Sequence, residues 1–485
     1  MVDEREIQDI IDRTRRRVGD PGQPLLARQA AVRAELERPA ADATGDGVHA
    51  RLDDAVAAAA ATWRHTRLEV DQRKGLIEAV RRAALDQTET LARLAVEETG
   101  LGRVDDKIVK NRLVAAKTPG PEDLEIQAVS GGDGMMITEF APFGVVGSIS
   151  PVTNPVATVI NNAIAILSAG NAVVFNAHPS ARRTSNATVR MIHRAIVDAG
   201  GPPNLITSIA EPTIESARAL MTHPDVRLLL VTGGPGVVRE ALKTDKRAIT
   251  AGPGNPPAVV DETADVERAG ADIVRGASFD NNIVCTDEKT AIAVAAIGDR
   301  LVRAMAASGA YVLAEHELRR LERLIFTDDQ LTPGKPAHIN TAWVGRDAVR
   351  ILGEIGVRPS VEPRLLVAEV PVEHPLVWTE QMMPVLPVAR VADVDAAIDL
   401  AVRSEHGFRH TASIHSTNVA TITRMARAMN CSIFVANGPN FSGLGAGGEG
   451  FATMSIASPS GDGMTRPRTF SRERRVTVVG ALRIV

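Results

Sequence analysis

Of 485 residues only two are cysteines, and one of them, Cys285, stands in the polar stretch SFDNNIVCTDEKT at residues 278–290. Ile283 and Val284 precede it; Thr286, Asp287, Glu288 and Lys289 follow. A thiol kept only for packing belongs in an apolar run. A thiol among polar residues is a candidate nucleophile, because the thiolate attacks carbon and its ordinary pKa of about 8.5 must be helped by its surroundings. No histidine lies near it in sequence, so spacing offers no Cys–His pair, and a structural buried cysteine stays open as the other reading. Cys431, in MNCSIFVANGP, has a strand-like apolar setting and reads as inert packing.

Three other stretches can carry chemistry. In SPVTNPVATVI (150–160), Thr153 or Asn154 is expected to cap a helix starting near Pro155. Asn154 then presents amide hydrogens beside the positive end of a helix, a good place for a developing oxyanion; a plain capped helix is the alternative. In VRLLLVTGGPGVVREAL (226–242), a buried strand ends in Thr232, Gly233 and Gly234, and Pro235 opens a helix. Open α/β sheets bind ligands at such carboxyl-end turns, and glycines admit a phosphate close to the backbone. It is not a GxGxxG fingerprint, and an ordinary tight turn is the commoner explanation. TAGPGNPPAVV (250–260) reads as a rigid loop before a strand, either structural or lining a cleft.

The elements that must position these residues follow from the pattern around them. The segments at 52–64 and 73–100 read as consecutive helices, the second ending at Gly100 as the residue past its C-cap. Two strands around 124–131 and 135–150 turn at GGDG. After Pro151, helices alternate with strands as far as VRLLLVTGG, and a second alternating region runs from Ala258 to about Val435. Strands alternating with helices of this length indicate parallel sheets covered on both faces. The basic segment RERRVTVVGALRIV closes the chain as a strand pair or one long strand. At the other end, residues 1–18 have a helical stripe of Ile7, Ile11, Thr14 and Val18, widened by Ile10. GDPGQP, a second helical piece at 25–38 and the linker PAADATGDG follow. The stripe suits either a terminal helix packed on its own body or a detachable peptide that docks on another protein.

Composition narrows the class. The hydrophobic share of 44% can build several cores, and the 3% aromatic share makes them mostly aliphatic. The formal charge of −4 comes with no basic block, which argues against nucleic acid. Two cysteines make neither a disulfide framework nor a Cys-rich zinc site, and no metal is expected. The most apolar stretch, residues 163–175, is too short and interrupted to span a bilayer, and the first residues lack the apolar block of a secretory signal.

Taken together, GASFDNNIVC, AGPGNPPAVVDETAD, EQMMPVLPV and GGEGFATMSIASPSGDGMTRPRTFSRERR, in this order and spacing, resemble the aldehyde dehydrogenase superfamily. Within it they are similar to the CoA-acylating propionaldehyde and acetaldehyde dehydrogenases of bacterial microcompartments, over about residues 48–485. The resemblance implies an α/β fold: a Rossmann-type cofactor domain, an α/β catalytic domain and a small β oligomerisation arm. The expected division is a targeting helix at 1–18, a linker at 19–47 and an NAD-binding domain at 48–248 with an oligomerising hairpin at 124–140. A catalytic domain at 249–436 and a C-terminal return segment and oligomerisation strand at 437–485 complete it.

The resemblance implies roles residue by residue. Cys285 stands at the family's nucleophile, and Asn154 at the asparagine that holds the oxyanion with the nucleophile's own N–H. Glu380 matches the glutamate on the nicotinamide ribose. Thr232, Gly233 and Gly234 fall beside the cofactor's pyrophosphate, and Pro151 lies on the cofactor side. His178 replaces the family's lysine in NAHPSA, so a lysine contact to the adenosine ribose is lost and the choice of NAD rests on the narrower subgroup. Hydrolysing members carry a glutamate that activates water; here Thr250 stands in its place, and a threonine hydroxyl is no general base at neutral pH. A thioester on Cys285 then waits for coenzyme A, whose thiol needs no activated water. The implied activity is oxidation of a short-chain aldehyde to acyl-CoA with NAD, in a microcompartment lumen in the bacterial cytoplasm, with residues 1–18 addressing shell proteins and the chain a homodimer or homotetramer. The alternatives are a hydrolysing NAD(P)-dependent enzyme that gives the free acid and a catalytically silent shell-associated scaffold.

Overall fold

Parallel strands covered on both faces favour apolar side chains on both sides, and most strand positions of this chain have them. In the computed structural model, which describes residues 44–483, Ala258 and Val260 face one core while Val259 faces another. Ala291 and Ala293 oppose Ile292 in the same way, and Leu365 and Val367 oppose Leu366 and Ala368. This two-residue alternation between two buried layers is why the sequence reads as unbroken apolar runs. One layer is built without any aromatic side chain; the other includes Phe326 and Trp378.

These strands belong to a unit made of Thr99–Lys107 and Gly252–Gly450. Its sheet has seven parallel strands in the spatial order Ala310–Val312, Leu365–Val370, Val385–Val391, Thr290–Val294, Pro257–Val260, Thr411–His415 and Ile433–Ala436. Three of the unit's helices begin on side-chain caps: Asp265 accepts from the Arg268 N–H, Asp393 from Ala396, and Asn418 from Ala420 and Thr421.

The second unit comprises residues 44–98, Ile108–Ala251 and 451–483. Its sheet has six parallel strands in the order Val48–His49, Ile206–Ile209, Ala172–Ala177, Val145–Ser150, Val226–Thr232 and Arg247–Ala251. From Val145–Ser150 the chain winds outward through two strands on one side, then returns to place Val226–Thr232 on the other side. That reversal is a topological switch point, the place where open α/β sheets hold ligands. Every residue of the helix Ala157–Ser168 is buried. Asn161 on this helix accepts from the Met454 N–H and Thr453 Oγ1, and Asn162 from Ser455 Oγ, which fastens the returning C-terminal segment. A three-stranded antiparallel sheet pairs Gly134–Pro142 with Gln127–Gly131 and with Ser471–Val479.

Several boundaries differ from the sequence reading. The helix expected at 73–100 is two, Val70–Asp86 and Thr88–Thr99, interrupted at Gln87; Gly100 does take the left-handed conformation, at φ 66°. The strand expected at 135–150 breaks at Phe143-Gly144 and serves two sheets. The helix Val104–Lys117 was not anticipated, and the last segment is one long strand. The targeting helix at 1–18 and most of the 19–47 linker lie outside the described residues. Among the described residues, no helix is long and apolar enough to cross a membrane, and no cluster of His, Cys, Asp and Glu is arranged to hold a metal.

Candidate active site

Cys285 lies between the helix Val266–Ala277 and the strand Thr290–Val294. Three consecutive residues ahead of it, Asp280, Asn281 and Asn282, are left-handed, with φ of 45°, 55° and 64°. Asn and Asp are the non-glycine residues that tolerate this region best, which explains the DNN spelling. Each is pinned by its own side chain. Asp280 accepts from the Arg103 N–H at 2.8 Å and from Lys107 Nζ at 3.0 Å. Asn281 donates to the Gly345 carbonyl and Asp347, and Asn282 donates to the carbonyls of Ala277 and Glu288.

Cys285 then occupies the second position of a hydrogen-bonded turn. The Asp287 N–H donates to the Val284 carbonyl at 3.1 Å, and Asp287 Oδ2 accepts from the Val284 N–H at 3.1 Å. The polar run after the cysteine is not a solvated face: Thr286, Asp287, Glu288 and Lys289 are all buried. Lys289 donates to the Asn282 carbonyl, Asn282 Oδ1 and the Val284 carbonyl at 2.8, 2.7 and 3.1 Å. Gly254, from the rigid 250–260 stretch, passes directly against this turn. A Cβ there would stand 2.8 Å from the Cys285 carbonyl oxygen and 3.0 Å from His410 Cγ, so only glycine fits.

The electrostatics of the thiol are mixed. Cys285 is half-buried. Burial first, then the Glu380 carboxylate, push it up to about 12, while Lys289 pulls down and Asp287 pushes up. Glu380 is itself raised by burial, opposed by Lys289 and by the Gly254 N–H, which donates to it at 3.4 Å. The structure therefore gathers Cys285, Glu380 and Gly254 in one unit. It adds two residues that sequence reasoning missed, Lys289 and His410. His410 is fully buried, pushed down to about 3 by burial and by Lys289, and its Nε2 has no protein hydrogen-bond partner. Being 125 positions from Cys285, it left no spacing signal; Lys289 was visible only as part of a charge run.

In the other unit, the remaining candidates gather at the carboxyl edge of the six-stranded sheet. Pro151 and Asn154 follow the strand Val145–Ser150, His178 follows Ala172–Ala177, and Gly233 and Gly234 follow Val226–Thr232, which ends on Thr232 itself. These three strands are adjacent, and the first and last flank the switch point. The helix Pro235–Leu242 begins directly at Gly234, with Pro235 in its first turn. A Cβ at Gly234 or Gly236 would meet nothing within 4 Å, so the turn is open at these two positions, which suits close approach of a phosphate. The Gly233 N–H is taken by the Ala251 carbonyl, and Thr232 Oγ1 bonds Ser455 Oγ at 2.7 Å. His178 is lowered by burial and uses Nδ1 to accept from the Ser180 N–H.

The expected cap by Thr153 or Asn154 is absent. The helix begins at Ala157, after Val156, with no side-chain cap. Asn154 is buried, and its side chain is oriented by other partners: Oδ1 accepts from Lys110 Nζ at 2.5 Å and Nδ2 donates to Thr153 Oγ1 at 3.1 Å. The ammonium on the carbonyl end fixes which end of the amide presents N–H. Thr250 is fully buried in the strand Arg247–Ala251; its N–H donates to Ser460 Oγ, and its hydroxyl has no hydrogen-bond partner.

The aldehyde dehydrogenase family model matches residues 34–320 and 357–452. An acetaldehyde dehydrogenase (acetylating) from Salmonella typhimurium is 49% identical over 453 residues, 93% of this chain and 96% of its own length. The crystal structure of Rhodopseudomonas palustris propionaldehyde dehydrogenase with bound CoA and an acylated cysteine matches at a TM-score of 0.88 and 46% identity, covering 91% of this chain and all of that one. A propionaldehyde dehydrogenase from the Clostridium phytofermentans fucose utilisation bacterial microcompartment matches at 0.87 and 43%, covering 90% of this chain and all of that one.

Proposed function

Because the chain belongs to the aldehyde dehydrogenase family, we infer that it oxidises a short-chain aldehyde to an acyl-CoA, with NAD as the hydride acceptor and coenzyme A as the acyl acceptor. The observation that carries this is the near full-length likeness to an acetaldehyde dehydrogenase named as acetylating and to a propionaldehyde dehydrogenase caught with bound CoA and an acylated cysteine.

Cys285 acts as the nucleophile. Its sulfur adds to the aldehyde carbon and the thiol proton is released, a step that Lys289 favours and that Glu380 and Asp287 oppose. The oxyanion of the thiohemiacetal is received by the Asn154 amide and the Cys285 N–H, each good donor contributing roughly 3 kcal/mol. NAD, when bound, accepts the hydride that leaves that carbon. Thr232, Gly233, Gly234, Pro151 and His178 are proposed to hold the dinucleotide, and Glu380 its nicotinamide ribose. Cys285 is left as a thioester. Thr250 supplies no carboxylate to ionise water, so the thioester persists until the thiolate of coenzyme A attacks its carbonyl carbon and the bond to the Cys285 sulfur breaks.

Residues 1–18 are proposed to address the enzyme to a microcompartment shell. The arm is proposed to join copies of the chain, supported by the exposure of Val129, Val476 and Val479 on its strands. Light scattering of the purified chain tests the second point, where a monomer speaks against it. For the activity, NADH formation from acetaldehyde and propionaldehyde is measured with and without coenzyme A. Turnover that depends on coenzyme A and yields acyl-CoA is expected. Comparable turnover without it, yielding free acid, overturns the reading in favour of a hydrolysing enzyme.

A further inference from the structure

The left-handed turn ahead of Cys285 is expensive backbone, and a fully buried ammonium is expensive charge; the chain keeps both within eight residues of the same sulfur. No carboxylate oxygen lies at ion-pairing distance from Lys289 among the described residues, although its charge acts on Glu380 and Glu288. All three of its acceptors are main-chain or amide oxygens of Asn282 and Val284. An apolar side chain of similar volume would fill the space at lower electrostatic cost, so packing alone does not account for the charge. The three acceptor atoms belong to two residues, the last left-handed residue and the first residue of the turn that carries Cys285.

We propose that Lys289 is a positioning residue for Cys285, clamping the left-handed turn to the turn that mounts the thiol and supplying a buried positive charge beside that turn. The inference rests on Cys285 being the nucleophile. The charged groups that act on this sulfur are Glu380, Lys289 and Asp287, and of these Lys289 alone favours the thiolate. The main chain of Lys289 is fixed as well: its N–H donates to the Pro256 carbonyl, and its carbonyl accepts from Gln381 Nε2. The ammonium is thus held from both ends of its own residue, and it transmits that rigidity to residues 282–284.

The test uses the full chain with Lys289→Met, Lys289→Arg and Asn282→Gly. Iodoacetamide alkylation of Cys285 is followed by peptide mass spectrometry across pH 6 to 10, alongside kcat, KM and thermal unfolding. Lys289→Met is expected to slow alkylation of Cys285 at pH 8 by about tenfold or more, to displace its pH profile upward, and to lower kcat more than it raises KM for aldehyde. Lys289→Arg restores part of the profile. Asn282→Gly keeps a residue that accepts positive φ and keeps the ammonium, but removes one anchor; it is expected to lower kcat while leaving the profile in place. A folded Lys289→Met with the wild-type profile overturns the proposal. Should that variant fail to fold, unchanged kcat in Asn282→Gly overturns it instead. Alkylation requires no turnover, so this result is separate from the fate of the functional reading, which fails if Cys285→Ala still makes NADH from aldehyde.

Discussion

The two cysteines look alike by the usual measures and differ in what surrounds them. Both are half-buried, and burial pushes each thiol up to about 12. Each also has a left-handed asparagine just ahead of it, Asn282 and Asn430. Around Cys431 the remaining influences are Glu405, which raises it further, and hydrogen bonds that its sulfur makes locally, including one to the Ile433 carbonyl at 3.0 Å. No cation is among them. Around Cys285 a buried ammonium opposes the carboxylates, and every left-handed residue is tied down by its own side chain. Burial alone therefore does not separate the proposed nucleophile from the other cysteine; its charged and rigid mount does. The largest expected effect tests this directly. Cys285→Ala should lower CoA-dependent NADH formation by roughly a thousandfold or more, while Cys431→Ala should leave it within about twofold. Equal losses in steady-state kcat/KM would erase the distinction.

Much of this contrast was legible in the sequence, and the rest was hidden for identifiable reasons. Sulfur is so scarce that Cys285 stands out, and the alternation of helix and strand announces parallel sheets. The glycine turn at 232–234 and the proline-opened helix after it follow from local backbone rules alone. By contrast, nothing in the polar run TDEK announces burial, yet all four residues are buried, and groups distant in sequence, the Pro256 carbonyl, the Gln381 amide and the Asn440 N–H, bond to it. Asn154 was read as a cap from its place before Pro155, but Lys110, 44 residues earlier, takes its carbonyl oxygen. Long-range hydrogen bonds leave no periodicity for a sequence reading to detect.

The two neighbourhoods also differ in how their carboxyl groups are served, and pH sharpens that difference. Glu288, three residues after Cys285, is pushed up to about 8 by burial, with the Asn440 N–H opposing. Glu405, beside Cys431, is raised by burial too, but accepts from the N–H groups of both His410 and Arg409. Between its ordinary value of 4.5 and about 8, the folded chain holds a proton on Glu288 that the unfolded chain releases. The native state then binds more protons than the unfolded state, so stability falls as pH rises through this window. His410 and His415, lowered to about 3 and about 4, act in the opposite sense: the unfolded chain takes up protons below 6.5 that the fold refuses, and stability falls as pH drops. Glu288→Gln should therefore gain on wild type as pH climbs from 5 to 8.5, by on the order of a few kcal/mol. Urea unfolding at a series of pH values reads this, and parallel curves for the two proteins would show that Glu288 ionises normally in the fold.

The smallest effect separates a left-handed residue that only shapes the chain from one that also works through its side chain. Asn430 ends the helix Val419–Met429 at φ 44°, and its N–H closes the last turn on the Ala426 carbonyl. Its side chain is exposed, and glycine takes the same conformation without a Cβ penalty. Asn430→Gly should therefore shift stability by no more than about 0.5 kcal/mol in either direction and leave kcat unchanged. Asn282 has the same backbone sign, but its amide donates twice and its oxygen accepts from the Lys289 ammonium, so the same change there removes three hydrogen bonds. The informative quantity is the difference between the two glycine variants, measured as kcat and thermal midpoint in parallel. If Asn430→Gly impairs turnover as much as Asn282→Gly, left-handed backbone as such matters near either sulfur, and the clamp at Cys285 has no special standing.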